Sequence, residues 1–360
     1  VRSPLFCFAL LCLVDSVPRI QGLPGVGINY GQIANNLPSP SRVSVLLRSL
    51  NISRVKLYDT DPVVLSAFSN SNVDFIIGLG NEYLENMTDP AKAQIGNEVF
   101  KGEDTKLYSY LLPAMQTVYK TLVDLGLDKQ VIVTSAHSLD ILANSFPPSA
   151  GSFRQDLAVY IQPILSFHSQ VKSPFLINAY PYFAYKDSPN QVPLDYVLFQ
   201  PNQGTTDPIT NLKYDNMLYA QIDAVYSAMK AMGHTDIEVR ISETGWPSKG
   251  DENEAGATVE NAELYNGNLL KRIQQKQGTP GKPSVPVDVY FFALFNENLK
   301  PGPTSERNYG LYYPNGNPVY NIGIKGYLPE MDYSSASPKI KILPVCLSLL
   351  IYVIAYLIYA

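Results

Sequence analysis

The sequence predicts a single (β/α)8 barrel, and two observations carry that reading. Short apolar runs alternate with longer amphipathic stretches over a body of about 300 residues, strand then helix then strand. The short runs are continuously apolar rather than alternating, as expected of parallel strands covered on both faces. An open doubly wound sheet is the main rival architecture. At 360 residues, with 46% hydrophobic and 16% charged content, the chain can fill one large core. A net charge of −5 without any basic run argues against a nucleic-acid partner.

The first strand is expected at Val26–Tyr30. The glycines Gly22, Gly25 and Gly27 around its start precede a strand instead of following one, so they cannot seat a pyrophosphate on a helix N-terminus. Further strands are expected at Arg54–Tyr58, Val73–Leu79, Gln130–Ala136, Pro174–Ala179, Ile237–Ser242 and Val287–Leu294. Helical patterns fall between them at Pro40–Leu50, Asp61–Ser69, Lys106–Leu125, Phe153–Gln170, Asp215–Met232 and Asn261–Gln277. That makes seven strands where a barrel needs eight. The gap lies between Leu79 and Lys106. Within it Asp89 can cap a helix, Pro90 suits its first turn and Ala91–Gln94 continue it. Gly96-Asn97-Glu98-Val99 then follows with no strand in between.

The two ends read as processing signals. Arg2 precedes an apolar run from Leu5 to Val14 that Asp15 closes, so residues 1–22 are expected to be a secretory signal peptide rather than a buried helix. Residues 342–360, from Ile342 to Ala360, are almost wholly apolar, and the nearby Lys339 and Lys341 stand before that tail. Small residues Ser334, Ser335 and Ala336 lie upstream, in a linker over 330–341. That order is the signal for a GPI anchor, with Ser334 or Ser335 as attachment site; a C-terminal membrane helix is the rival. Either way the domain at 23–329 is expected on the extracellular face of the plasma membrane, in the wall space. All three cysteines, Cys7, Cys12 and Cys346, fall in the end segments, so the mature domain is expected to hold together without a disulfide. Asn51-Ile52-Ser53 and Asn86-Met87-Thr88 are glycosylation sequons; Asn51 directly precedes a strand, which favours Asn86.

Barrel chemistry is done at the C-terminal ends of the strands. Just past those ends stand Asn29, Tyr30, Tyr58, Asn178, Tyr180, Glu243, Trp246, Glu297 and Lys300. Carboxylates, amides and aromatic rings on one rim suit a sugar, with its apolar C–H faces and fringe of hydroxyls. Tyr30, Tyr180 and Trp246 are the rings expected to stack on or bond to it. His137, His168 and His234 are spread without metal-ligand spacing, and no G-x-S-x-G elbow is present. A zinc site and a serine nucleophile are therefore not expected. Paired carboxyls remain. Cleaving a glycosidic bond needs one protonated carboxyl and one ionised one, and Glu98 and Glu243 are the candidates for acid and nucleophile.

The motifs "GVGINYGQIANNLPSP", "VKLYD", "GNEVF", "INAYPYFAY", "ISETGWPSKGD", "FALFNENLKPGP" and "ERNYGLYYPNG" occur in this order between about residues 25 and 329. On them the chain resembles the plant glucan endo-1,3-β-glucosidases of glycoside hydrolase family 17, in their lipid-anchored branch. The resemblance implies a (β/α)8 barrel, retaining cleavage of internal bonds in β-1,3-glucan such as callose, and no cofactor. It implies Glu98 as acid/base and Glu243 as nucleophile. Tyr30, Asn97, Tyr180, Glu297, Lys300 and Glu306 match cleft residues of the family. The chain departs from the family just before Glu98, where a helix and a strand on the order of twenty to thirty residues are missing. Either the strands flanking the breach keep unpaired backbone N–H and C=O groups, or another segment, such as Gln94–Val99, is pulled in as a short substitute strand. The implied partner is β-1,3-glucan and the implied state a monomer. The alternatives are a glucan-binding surface protein impaired in catalysis and a transglycosylase.

Overall fold

The computed structural model describes residues 22–69, 71–78, 81, 97–102 and 104–331. Seven parallel strands form one curled sheet: β1 (Val26–Asn29), β2 (Arg54–Leu57), β3 (Asp74–Ile77), β4 (Ala136–Ser138), β5 (Phe175–Asn178), β6 (Val239–Thr244) and β7 (Val289–Phe291). Their order is β3-β2-β1-β7-β6-β5-β4, so neighbours in sequence are neighbours in space and the first strand pairs with the last. This is the strand order of a TIM-like barrel, opened between β3 and β4.

That opening is where the eighth strand is missing from the sequence. Among the described residues Asn97 alone fills the place: it forms an isolated parallel bridge with Ala136, and the Glu98 N–H donates to the Ala136 carbonyl at 2.9 Å. The bridge lies within the stretch named as a substitute strand. The strand expected at Gln130–Ala136 shifts to Ala136–Ser138. Its partner β5 begins only at Phe175, after a proline that has no N–H to offer, so the earlier residues have no ladder to join. Thr134 instead donates through its hydroxyl to the Pro174 carbonyl at 2.7 Å. The open side also shows in burial. β1, β5 and β7 are wholly buried, whereas Phe75, Ile76 and Ile77 of β3 are only partly covered and Asp74 is exposed.

Helices α1 (Pro40–Ser49), α2 (Pro62–Ala67), α3 (Lys106–Asp124), α4 (Ala158–Val171), α7 (Met217–Ala231) and α8 (Val259–Gln274) match the six expected. Their starts are chemically marked. Proline opens α1 and α2, and Asp61, Asn216 and Thr258 each accept a bond from a first-turn N–H of α2, α7 and α8. Two short helices, α5 (Pro181–Asp187) and α6 (Leu194–Val197), were not legible, because α5 lies in the Tyr-rich rim segment where no 3.6-residue stripe stands out. Asn51, in the turn after α1, is exposed and adopts a left-handed conformation with φ 57°, so its sequon is open. Asn86, Ser334, Ser335, the leader and the apolar tail lie outside the described residues. No described helix is long and apolar enough to cross a membrane.

Candidate active site

The strand ends bring Glu243, Lys56, Asn178 and Asn29 to one rim, and the one-residue bridge brings Asn97 and Glu98 to the same place. Lys56 is the unexpected member. It sits inside the apolar strand β2, is almost fully buried, and donates to Glu243 Oε1 at 2.7 Å and Asn97 Oδ1 at 3.2 Å. Asn178 at the end of β5 donates to Glu98 Oε1 at 2.9 Å and to Asn97 Oδ1 at 3.5 Å, and its own oxygen accepts from Ser242 at 2.6 Å. A continuous chain of polar contacts thus runs Glu243–Lys56–Asn97–Asn178–Glu98. Asn29 steadies the floor, donating to the Tyr58 hydroxyl at 3.1 Å and the Ser242 carbonyl at 3.0 Å.

The two carboxyls are biased in opposite directions. Burial alone pushes Glu243 toward its neutral form, but the Lys56 ammonium and donated bonds from Lys56, Tyr180 and Tyr58 outweigh it and hold the carboxyl below its ordinary range. The Tyr180 hydroxyl lies 2.8 Å from Glu243 Oε2, and burial together with that negative charge keeps the phenol protonated as a donor. Glu98 goes the other way. Burial and the charge of Glu243 raise it, against the Asn178 bond and the cations Lys101 and Lys56. One carboxyl biased toward its ionised form beside one biased toward its protonated form suits the division of labour that acid-assisted displacement at a sugar carbon requires.

Glu98 holds its place at a backbone cost. Its φ and ψ, 50° and 38°, are left-handed, about 1–2 kcal/mol uphill for a residue with a Cβ. The turn after it is pinned by Phe100, whose ring stacks on His137 at 5.5 Å, and His137 in turn stacks on Phe175 at 4.7 Å. Burial lowers the His137 pKa to about 3, so this layer is neutral core and carries no catalytic charge.

The other expected residues divide. Glu297 is buried beside the β1 rim and accepts from the Ile33 N–H at 2.8 Å; burial raises its pKa. Gly31 must be glycine here, because a Cβ would stand 2.4 Å from Glu297 Oε2. Lys300 pairs with Glu306 at 2.9 Å and lies over the Phe292 ring at 4.2 Å. Tyr30 is buried, edge-on to Phe295, and its N–H bonds the Lys56 carbonyl. Trp246 is a correction. It is 0% exposed, donates to the Gly256 carbonyl and packs among Tyr182, Tyr185 and Tyr265, so it supports the rim from behind and offers no face to a ligand. Sequence reasoning gave no role to Lys56 or Ser242, and placed Tyr58 and Asn178 on the rim without assigning either a task. The available signal was a lone lysine flanked by valine and leucine in a strand buried on both faces, a position that tolerates a charge only when it is paired.

Lys56→Met is expected to move the acid limb of the pH–rate profile upward. With Glu243 as the attacking carboxylate, activity falls as pH drops through its pKa; removing the ammonium takes away the largest influence that lowers that pKa. Breaking a buried pair also destabilises, by about 3–5 kcal/mol. An unmoved acid limb in a folded variant, measured as kcat/KM against pH, would show that Lys56 does not set the state of Glu243.

Fold and site together fit the class of barrel hydrolases, with a carboxyl pair on the rim. The chain belongs to glycosyl hydrolases family 17: that family's model matches residues 26–94 and 89–324. It is 67% identical to glucan endo-1,3-beta-glucosidase 14 of Arabidopsis thaliana over 95% of this chain and 92% of the relative. It is 38% identical to the glucan endo-1,3-beta-D-glucosidase of Olea europaea, over 90% of this chain and 75% of that protein. Among solved structures, a β-1,3-glucanase and allergen of Cryptomeria japonica pollen superposes with a TM-score of 0.77 at 36% identity, covering 83% of this chain and 99% of the other.

The same comparisons locate the breach. The family model matches in two stretches that meet at residues 89–94, immediately before the Gly-Asn-Glu motif. The alignment to the first Arabidopsis relative runs over 362 positions yet takes in only 95% of 360 residues, about 342, so about 20 positions of the relative face no residue of this chain.

Proposed function

We propose that this chain acts on linear β-1,3-glucan as an endo-glucanase, with Glu98 as acid/base and Glu243 as nucleophile in a retaining double displacement. The observation that carries the reading is the opposed bias of the two carboxyls across one polar network. Glu98 gives its proton to the departing glycosidic oxygen while Glu243 bonds to the anomeric carbon; Glu98 then takes a proton from water as that bond is broken. Tyr180, Asn97 and the Glu297–Lys300–Glu306 group flank the reacting sugar.

The wider placement is part of the proposal. Residues 1–22 direct secretion, 23–329 form the barrel, and Ser334 or Ser335 receives a GPI anchor that holds a monomer at the outer face of the plasma membrane, in the wall space. The layout of small residues, spacer and apolar tail supports it.

One experiment tests both parts. Plant membranes bearing the full chain are treated with phosphatidylinositol-specific phospholipase, and the membrane and soluble fractions are each incubated with linear β-1,3-glucan. Soluble protein that generates new reducing ends is expected. Protein that stays in the membrane with residues 342–360 intact overturns the anchor. Binding without cleavage, or products longer than the substrate, overturns the hydrolytic reading.

A further inference from the structure

We propose that the Asn81 carboxamide is the closing element of this barrel, standing in for the main chain of the missing strand segment and thereby positioning Asn97 and Glu98. In a parallel ladder, the N–H and C=O of one residue face one neighbour while those of the next face the other. Asn97 and Glu98 keep this alternation over a single step. The Glu98 N–H faces β4, on the Ala136 carbonyl. The N–H and C=O of Asn97 face the other way, toward β3, where a ladder partner would be needed. Both find Asn81 instead: its Oδ1 accepts from the Asn97 N–H at 2.9 Å and its Nδ2 donates to the Asn97 carbonyl at 2.9 Å.

A primary carboxamide carries one donor and one acceptor side by side, the same pair a peptide group presents to a ladder. No other neutral side chain of that length does so except glutamine, which is one methylene longer. Asn81 is delivered to the spot by the end of β3. The Gly78 N–H is still bonded to the Leu57 carbonyl at 2.6 Å, and a Cβ at Gly78 would stand 2.8 Å from that oxygen, so the chain hugs β2 until three residues before Asn81.

The consequence reaches the carboxyl pair through Asn97. That residue's side chain is the meeting point of Lys56 and Asn178, and its main chain sets the origin of the left-handed Glu98. A strained conformation persists only where its surroundings over-determine it. On the β4 side the main-chain bond from Glu98 to Ala136 does so; on the β3 side the Asn81 amide does. Asn81 is therefore a positioning residue: it acts on the reaction only through Asn97 and Glu98.

The activity readout rests on the proposed glucanase function, and a second readout does not. Asn81→Ala and Asn81→Asp are made in the full chain, and amide hydrogen exchange is followed alongside kcat and KM on β-1,3-glucan. In Asn81→Ala, exchange over residues 97–102 is expected to quicken while β5 and β6 stay as in the parent. The kcat is expected to fall about ten- to a hundredfold, as for a reacting group displaced by a fraction of an ångström, with KM changed by less than about threefold. Parent-like exchange over 97–102, or a loss confined to KM, overturns the proposal. If the alanine variant does not fold, Asn81→Asp decides, since its carboxylate accepts the Asn97 N–H but cannot donate to the carbonyl: faster exchange supports the proposal and parent-like exchange overturns it. An inactive parent refutes the glucanase reading, while the exchange result still decides the role of Asn81.

Discussion

Glu243→Gln is expected to lower kcat on β-1,3-glucan by about 10³-fold or more while leaving glucan affinity within a few-fold of the parent. The amide has the size and shape of the carboxyl but no electron pair with the basicity to attack the anomeric carbon. Its surroundings can absorb the change. The remaining oxygen still accepts from Lys56, and the new NH2 group can face Tyr180, whose hydroxyl can turn from donor to acceptor. The substitution also removes the negative charge that helps raise Glu98, so any residual activity should lose its alkaline limb at lower pH than the parent. The sign follows from the proposed role of Glu98 as the proton donor: activity is then present below its pKa and lost above it. Turnover and isothermal binding of a short β-1,3-glucan would be measured on the same preparation. Near-normal turnover would place the nucleophile elsewhere, and lost binding would point to a structural role for the Glu243–Lys56 pair.

The candidate rim was largely legible because barrel architecture tells a reader where to look. Once the apolar runs are taken as parallel strands, the residue just past each run is a site candidate, which is how Glu243, Tyr180 and Glu297 emerge from sequence. What stayed hidden was the wiring between them. Lys56 and Ser242 lie within strands, where periodicity reports burial but not the identity of a partner across the barrel. The Lys56–Glu243 contact spans 187 positions in sequence, and no local pattern encodes it. Trp246 was misread for the same reason: a tryptophan after a strand end can face the cleft or the core, and only the surrounding Tyr182, Tyr185 and Tyr265 decide for the core. The strand count, by contrast, was a local property. Seven runs were counted and seven strands form the sheet.

Restoring the missing segment should therefore change the molecule more than any single substitution outside the carboxyl pair. In a version carrying the roughly twenty residues of the Arabidopsis relative between Gln94 and Ile95, the fourth strand would run between β3 and β4 and a helix would cover it. Phe75, Ile76 and Ile77, now partly exposed, would be buried. At about 1.5–3 kcal/mol for fully burying each such side chain, and roughly half of that still to be gained, the β3 face alone stabilises by roughly 3 kcal/mol. For a domain of about 300 residues that corresponds to a rise of about 5 °C in Tm. The open edges of β3 and β4 would also be paired, removing two templates for edge-to-edge association, so the restored protein is expected to associate less readily than the present chain. Glu98 would gain a ladder on both sides, and kcat should rise by about tenfold or more, because errors near 1 Å in a reacting group cost about a hundredfold. The two versions would be compared by thermal unfolding, light scattering and turnover on β-1,3-glucan. Equal Tm and equal kcat would mean that Asn97 and the Asn81 amide already do the whole work of the absent strand, and that the barrel is complete with seven.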